Sequence, residues 1–220
     1  MDTGFQEWVL TKYRYLHSLS PARPRLVYRV LDALARTRTA SRSRVALVVM
    51  DGMSWLDWVL LRDDVMDRFG TRVSEDSVFA LVPTTTDVSR LALLSGSKRR
   101  GEGTEEKLFR DYWAEQGLGA SACVLITQGV RSMDAFVADV ATSVQDSRVQ
   151  AMAVVVSDLD EMMHGSKYRS AHAAQLRDWT KRGSLTRMLE VVSDAGFHIV
   201  LTADHGSTAC VGVGCSNVGS

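Results

Sequence analysis

Val45-Ala46-Leu47-Val48-Val49-Met50-Asp51-Gly52 is the stretch that decides the fold. Six apolar residues in succession, without alternation, read as a strand buried on both faces, the kind found inside a parallel sheet. The acid and glycine that close it read as a turn. Residues 55–69 then carry apolar side chains at helical spacing and stop at Gly70.

The same alternation continues downstream. A second strand is expected within residues 73–82, ending at Pro83, and a helix from about Asp87 to Leu94, closed by Ser95-Gly96. After a polar loop over 97–103 come a helix near 105–116, a strand at 121–126, a helix around 133–144 and a strand at 151–156. A long helical stretch over about 170–194 leads to the strand 197–202. Strands alternating with helical spans of about ten residues or more specify an α/β fold, a doubly wound and mostly parallel sheet with helices on both faces. Upstream, apolar spacing predicts one helix over 5–16 and another from Leu26 to about Thr39, separated by the breaker Ser20-Pro21-Ala22-Arg23-Pro24. Residues 1–42 thus read as a helical preface and 43–220 as the core.

A chain of 220 residues supports one large domain. Lysine plus arginine and aspartate plus glutamate stand at 26 each, so net charge gives no reason to invoke a nucleic-acid or membrane partner. The basic clusters Arg36-Thr37-Arg38 with Arg42 and Arg44, and Lys98-Arg99-Arg100, read as solvated surface. Cys123, Cys210 and Cys215 lack metal-type spacing and are odd in number, which suits a reducing compartment. The amino-terminal charges Asp2, Glu7, Lys12 and Arg14 do not suit a signal peptide, and no apolar run has membrane-spanning length. The expectation is a cytoplasmic protein without a membrane partner.

Ligands of doubly wound sheets bind outside the carboxyl ends of the strands. Asp51, Thr86, Asp158, Asp160 and Asp204 all fall at such ends. An aspartate there ordinarily caps the next helix. Here, however, two of the three acidic sites carry a histidine. Asp160 and His164 are four apart and share a helical face, and Asp204 and His205 adjoin on a turn. Carboxylate with imidazole is a ligand mix for zinc, and also serves manganese or iron. Two metals about 3.5–4 Å apart clamp the attacking and leaving oxygens of a phosphoryl transfer. Thr86, at a helix start rich in free N–H groups, becomes a competent nucleophile once a metal lowers its pKa. No glycine-rich nucleotide loop follows a strand; Gly212-Val213-Gly214-Cys215-Ser216-Asn217 has asparagine where the third glycine belongs.

Together, Val48-Val49-Met50-Asp51-Gly52-Met53-Ser54, Pro83-Thr84-Thr85-Thr86, Ser157-Asp158-Leu159-Asp160 through His164-Gly165, and Thr202-Ala203-Asp204-His205-Gly206 resemble the PglZ domain. That domain belongs to the alkaline phosphatase superfamily and occurs in bacterial BREX phage-defence systems; the tail from Asp204 to Gly214 is similar to the type-three variety. The resemblance implies an alkaline-phosphatase-like core and a phosphatase or phosphodiesterase, possible nuclease activity included, with two divalent ions, zinc foremost and manganese an option. It assigns one metal to Asp51, Thr86, Asp204 and His205, and the other to Asp160 and His164. Thr86 is singled out over Thr84 and Thr85 as nucleophile, and Ser89 takes the place of a phosphate-holding asparagine. Other defence-system proteins and a phosphate ester, such as a nucleotide or nucleic acid, are the implied partners. The superfamily draws a third ligand for the second metal from a histidine well downstream, and none follows His205 here. The expectation is therefore an amino-terminal piece of a longer protein, truncated at the carboxyl end of its core. The alternative is a catalytically weak scaffold within a defence complex.

Overall fold

The computed structural model describes residues 3–19, 26–98, 102–166 and 168–207. The breaker at 20–24, Arg99-Arg100, Cys210, Cys215 and the glycine-rich tail from Thr208 onward lie outside the described residues.

Four strands form one wholly parallel sheet in the order β2-β3-β1-β4: β1 is Arg44–Met50, β2 Cys123–Thr127, β3 Ala151–Val156 and β4 Phe197–Thr202. Every residue of β3, and all of β1 after Arg44, is buried, as an unbroken apolar run in a central parallel strand requires. Alternation divides them between two cores. Val45, Leu47 and Val49 meet α2 (Val30–Ser41), α4 (Thr86–Ser95) and α5 (Glu105–Glu115) on one face. Ala46, Val48 and Met50 meet α3 (Trp55–Phe69), α6 (Met133–Val144), α8 (Arg169–Lys181) and α9 (Ser184–Asp194) on the other. The expected doubly wound α/β architecture, with helices on both faces, is present.

The helix limits follow local chemistry. Ser54 and Asp57 form a reciprocal capping box at the start of α3, and Gly70 ends it with φ +58°. Gly96, at φ +63°, closes α4 where an added Cβ would lie 2.5 Å from the Tyr112 ring. The expected long helix before β4 is instead two, because Gly183 at φ +68° breaks it between α8 and α9.

One expected element is corrected. Residues 73–82 form no strand; their sheet-like pairing is a single bridge, Phe79 to Leu26. The segment attaches to the amino-terminal region instead of the sheet: Val27 N–H donates to Phe79 O (2.9 Å), Tyr13 Oη to Ala80 O (2.7 Å), and the Phe79 ring packs 5.2 Å from that of Trp8 on α1 (Thr3–Thr11). Leu26 to Ala35 enter the same core as β1. The helices read as a preface therefore brace the segment that leads to Thr86. No helix among the described residues is long and apolar enough to cross a membrane.

Candidate metal centre

Parallel register brings the first acidic residues together. Val49 pairs with Thr202, so Asp51, just after β1, and Asp204, just after β4, emerge side by side at the carboxyl edge. Asp51 is tied to the neighbouring strand through its N–H to Val156 O, at 2.9 Å.

Asp204 is fully buried. Its Oδ1 accepts N–H groups from Gly52 (3.2 Å) and His205 (2.8 Å), which leaves Oδ2 without a hydrogen-bond partner. Asp51 Oδ1 is a second buried orphan. His205 Nε2 stands 3.7 Å from the first-strand orphan and 3.9 Å from Asp204 Oδ2. One donor atom from each of Asp51, Asp204 and His205 lies within 4.8 Å of the other two. Buried polar atoms left unpaired are costly, and two carboxylate oxygens facing an imidazole nitrogen suit a divalent cation.

The imidazole is arranged for the same purpose. His205 Nδ1–H donates to Gly206 O at 3.0 Å, since a carbonyl can only accept, and this leaves Nε2 with its lone pair. The Thr86 hydroxyl donates to that nitrogen at 2.8 Å, across 119 positions of sequence. Thr86 is the first residue of α4, where N–H groups have no acceptor within the helix. Burial, with Asp51 beside it, pushes the Asp204 carboxyl up to about 6, against the opposing effects of His205, the Gly52 N–H and Arg90.

Asp160 and His164 share one turn of α7 (Asp158–Gly165), with Nε2 3.4 Å from Oδ2. This pair borders the first group: a Cβ on Gly52 would lie 3.2 Å from Asp160 Oδ1 and 3.7 Å from His205 Cε1. Yet the His164 side chain is 74% exposed, and no third metal-type ligand joins the two among the described residues. Ser89 is fully buried, and its hydroxyl donates to Leu81 O at 3.4 Å, so it must turn from the main chain to meet a phosphate. Asp158 is held by the Trp179 indole N–H at 2.5 Å and by the Gln128 amide, a structural use.

Sequence reasoning missed Arg90 and Glu105. Arg90 Nη1 donates to Asp51 Oδ2 at 2.5 Å, and Nε to Glu105 Oε1 at 2.7 Å. Burial works against the charged guanidinium, but Asp51, Glu105 and Asp204 outweigh it and hold its pKa above the ordinary arginine value. The one signal in the sequence was the spacing of four from Thr86, which puts both on one face of α4. His172 bonds Asp57 Oδ1 at 2.8 Å and so fixes α8 to the start of α3.

The profile of one known family, described as the BREX system PglZ alkaline phosphatase-like domain, matches residues 30–213. Among curated proteins nothing matches the chain.

Proposed function

Since this chain belongs to the PglZ family of alkaline phosphatase-like domains, we propose that it is a metal-dependent phosphoryl-ester hydrolase with Thr86 as nucleophile, working within a BREX defence system. The observation that carries this reading is the meeting of Thr86 Oγ1 with His205 Nε2 at 2.8 Å, beside two buried carboxylate oxygens that lack partners.

Asp51, Asp204, His205 and Thr86 would hold the first divalent ion, most simply zinc, with manganese as the other candidate; Asp160 and His164 would supply ligands to a second. When bound, such ions supply positive charge that favours the threonine alkoxide and offsets negative charge on the phosphoryl oxygens. The chain's own residues do the rest. The start of α4 carries the Thr86 hydroxyl, and the N–H groups of Thr86 and Asp87 in its first turn would hold the equatorial oxygens of a phosphoryl group. Attack by Thr86 Oγ1 forms a Thr–O–P bond and breaks the P–O bond to the leaving alcohol. Water then attacks the same phosphorus, the Thr–O–P bond breaks, and the phosphate leaves as the threonine oxygen regains its proton. Ser89 is proposed to contact phosphate only after its hydroxyl leaves Leu81.

Phosphate esters, including nucleotides or nucleic acid, are the proposed substrates, and other proteins of the defence system the proposed partners. The test is zinc-dependent hydrolysis of bis-p-nitrophenyl phosphate by the chain, with loss in Thr86→Ala as the expected result. Equal turnover by wild type and Thr86→Ala would sink the assignment of the nucleophile. The exposure of His164 and the two-residue second centre favour one other reading, a weakly active scaffold. Metal analysis separates the two: a scaffold retains no cation at the first centre either.

A further inference from the structure

We propose that Arg90 is a built-in rival for the cation, neutralising Asp51 and Asp204 when no metal is held, and that Glu105 sets how strongly it competes. This rests on the reading that the Asp51–Asp204–His205 centre takes up a divalent cation.

The guanidinium sits among three carboxylates. Nη1 is 2.5 Å from Asp51 Oδ2 and 4.0 Å from Asp204 Oδ2, while Nε is 2.7 Å from Glu105 Oε1. Asp51 and Asp204 belong to the sheet's carboxyl edge, whereas Glu105 opens α5, so Arg90 stands between the centre and a separate element. Two buried carboxylates with no counter-charge would repel one another and lose hydration without return. Arg90, itself only 15% exposed, supplies that charge.

A divalent cation is drawn to the same two carboxylates and meets a positive charge already beside them. In a site with so little water this repulsion is weakly screened. Glu105 draws the guanidinium the other way. Its side chain is 26% exposed and meets Nε, whereas Asp51 meets Nη1, so it can keep Arg90 when Asp51 turns its charge toward a metal. The two ends of one ion pair therefore act with opposite sign. Removing Arg90 removes the rival and tightens cation binding. Removing the charge of Glu105 leaves Arg90 wholly to Asp51 and Asp204, and weakens it. An arginine that only clamps Asp51 in place gives a different pattern: losing either partner loosens the cation.

The experiment is calorimetric titration of the 220-residue chain with zinc, and separately with manganese, for wild type, Arg90→Gln, Glu105→Gln and the double variant. Arg90→Gln is expected to bind about tenfold tighter or more, Glu105→Gln about tenfold weaker, and the double variant to follow Arg90→Gln. Melting without metal is expected to fall for Arg90→Gln and to recover with zinc by more than wild type does. An Arg90→Gln chain that folds only with zinc supports the rivalry; one that fails to fold with or without zinc overturns it. Weaker or unchanged binding by Arg90→Gln, or unweakened binding by Glu105→Gln, also overturns it. If wild type itself takes up no cation, the proposed function falls and the rivalry with it. Wild-type binding with both variants shifted in one direction removes the rivalry alone.

Discussion

The two groups of acid and imidazole differ in what holds them. Asp51, Asp204 and His205 follow adjacent strands whose register is set by β1–β4 pairing, and all three are buried. Asp160 and His164 ride on a single short helix, with the histidine 74% exposed. Sheet ends position side chains through a hydrogen-bonded ladder shared with the whole core, whereas a one-turn pair depends on two free rotamers. Buried oxygens without a hydrogen-bond partner also occur only in the first group of the two, on Asp51 and Asp204. The first group is thus organised in advance of any cation, whereas the second would need something beyond its two residues to hold one.

The sharpest way to break this comparison is through the nucleophile. Thr86→Ala is expected to reduce phosphodiester hydrolysis by about a thousandfold or more, with Thr86→Ser retaining part of it, since only the hydroxyl is asked to react. Steady-state rates on bis-p-nitrophenyl phosphate check this. Next, Asp51→Asn and His205→Ala should each weaken the tightest cation-binding event by about a hundredfold or more, while His164→Ala changes that same event by less than about tenfold. Calorimetric titration reads both. Equal losses for His205 and His164 would show one shared site in place of the two unequal ones proposed.

How much of this was legible beforehand depends on whether a residue's partner was local. The strands at 45–50 and 151–156 were readable because burial on both faces leaves an unbroken apolar run. The helix over 55–69 was readable because Ser54, Asp57 and Gly70 carry its ends in sequence. Residues 73–82 have strand-like composition, but their pairing was decided by Leu26, Val27 and Tyr13, some fifty or more positions away, and no periodicity encodes that choice. Asp51 and Asp204 were legible as strand-end acids, and His205 as the imidazole that adjoins the second. Arg90 and Glu105 were not, because a charged residue on a helix looks solvated until the opposing carboxylate is known. Asp158 shows the converse: a strand-end acid used up by Trp179 and Gln128.

A smaller effect concerns pH in the metal-free protein. Asp204 titrates at about 6 when folded, against an ordinary value of 3.8. Its folded pKa is raised, so its contribution to stability is fully present below the unfolded value and is lost as pH climbs through 6. The shift corresponds to about 3 kcal/mol. Chelated wild type should therefore lose stability between about pH 4 and pH 7 by an amount that Asp204→Asn, which has nothing to ionise there, does not lose. Denaturant titrations at several pH values, wild type against variant, measure the difference.

The smallest effect separates the two centres at their boundary. Gly52 has φ +67°, and Gly70 has φ +58° with ψ −136°, so alanine at either position carries a backbone cost of about 1–3 kcal/mol, the larger at Gly70, whose ψ lies outside the left-handed helical region. Around Gly70 a new Cβ meets nothing within 4 Å, whereas at Gly52 it meets Asp160 Oδ1 at 3.2 Å and His205 Cε1 at 3.7 Å. The first of these contacts is tight and the second ordinary. Asp160 is the end of a mobile side chain and gives way, while His205 keeps its bonds to Thr86 and Gly206. Both variants should then melt lower, but only Gly52→Ala should weaken a second cation-binding event, leaving the first within about threefold of wild type. Gly70→Ala supplies the backbone cost alone, so the difference between the two titrations isolates the crowding of Asp160. If Gly52→Ala instead weakens the first event more, His205 is the residue that moves, and the buried centre is less rigid than its hydrogen bonds imply.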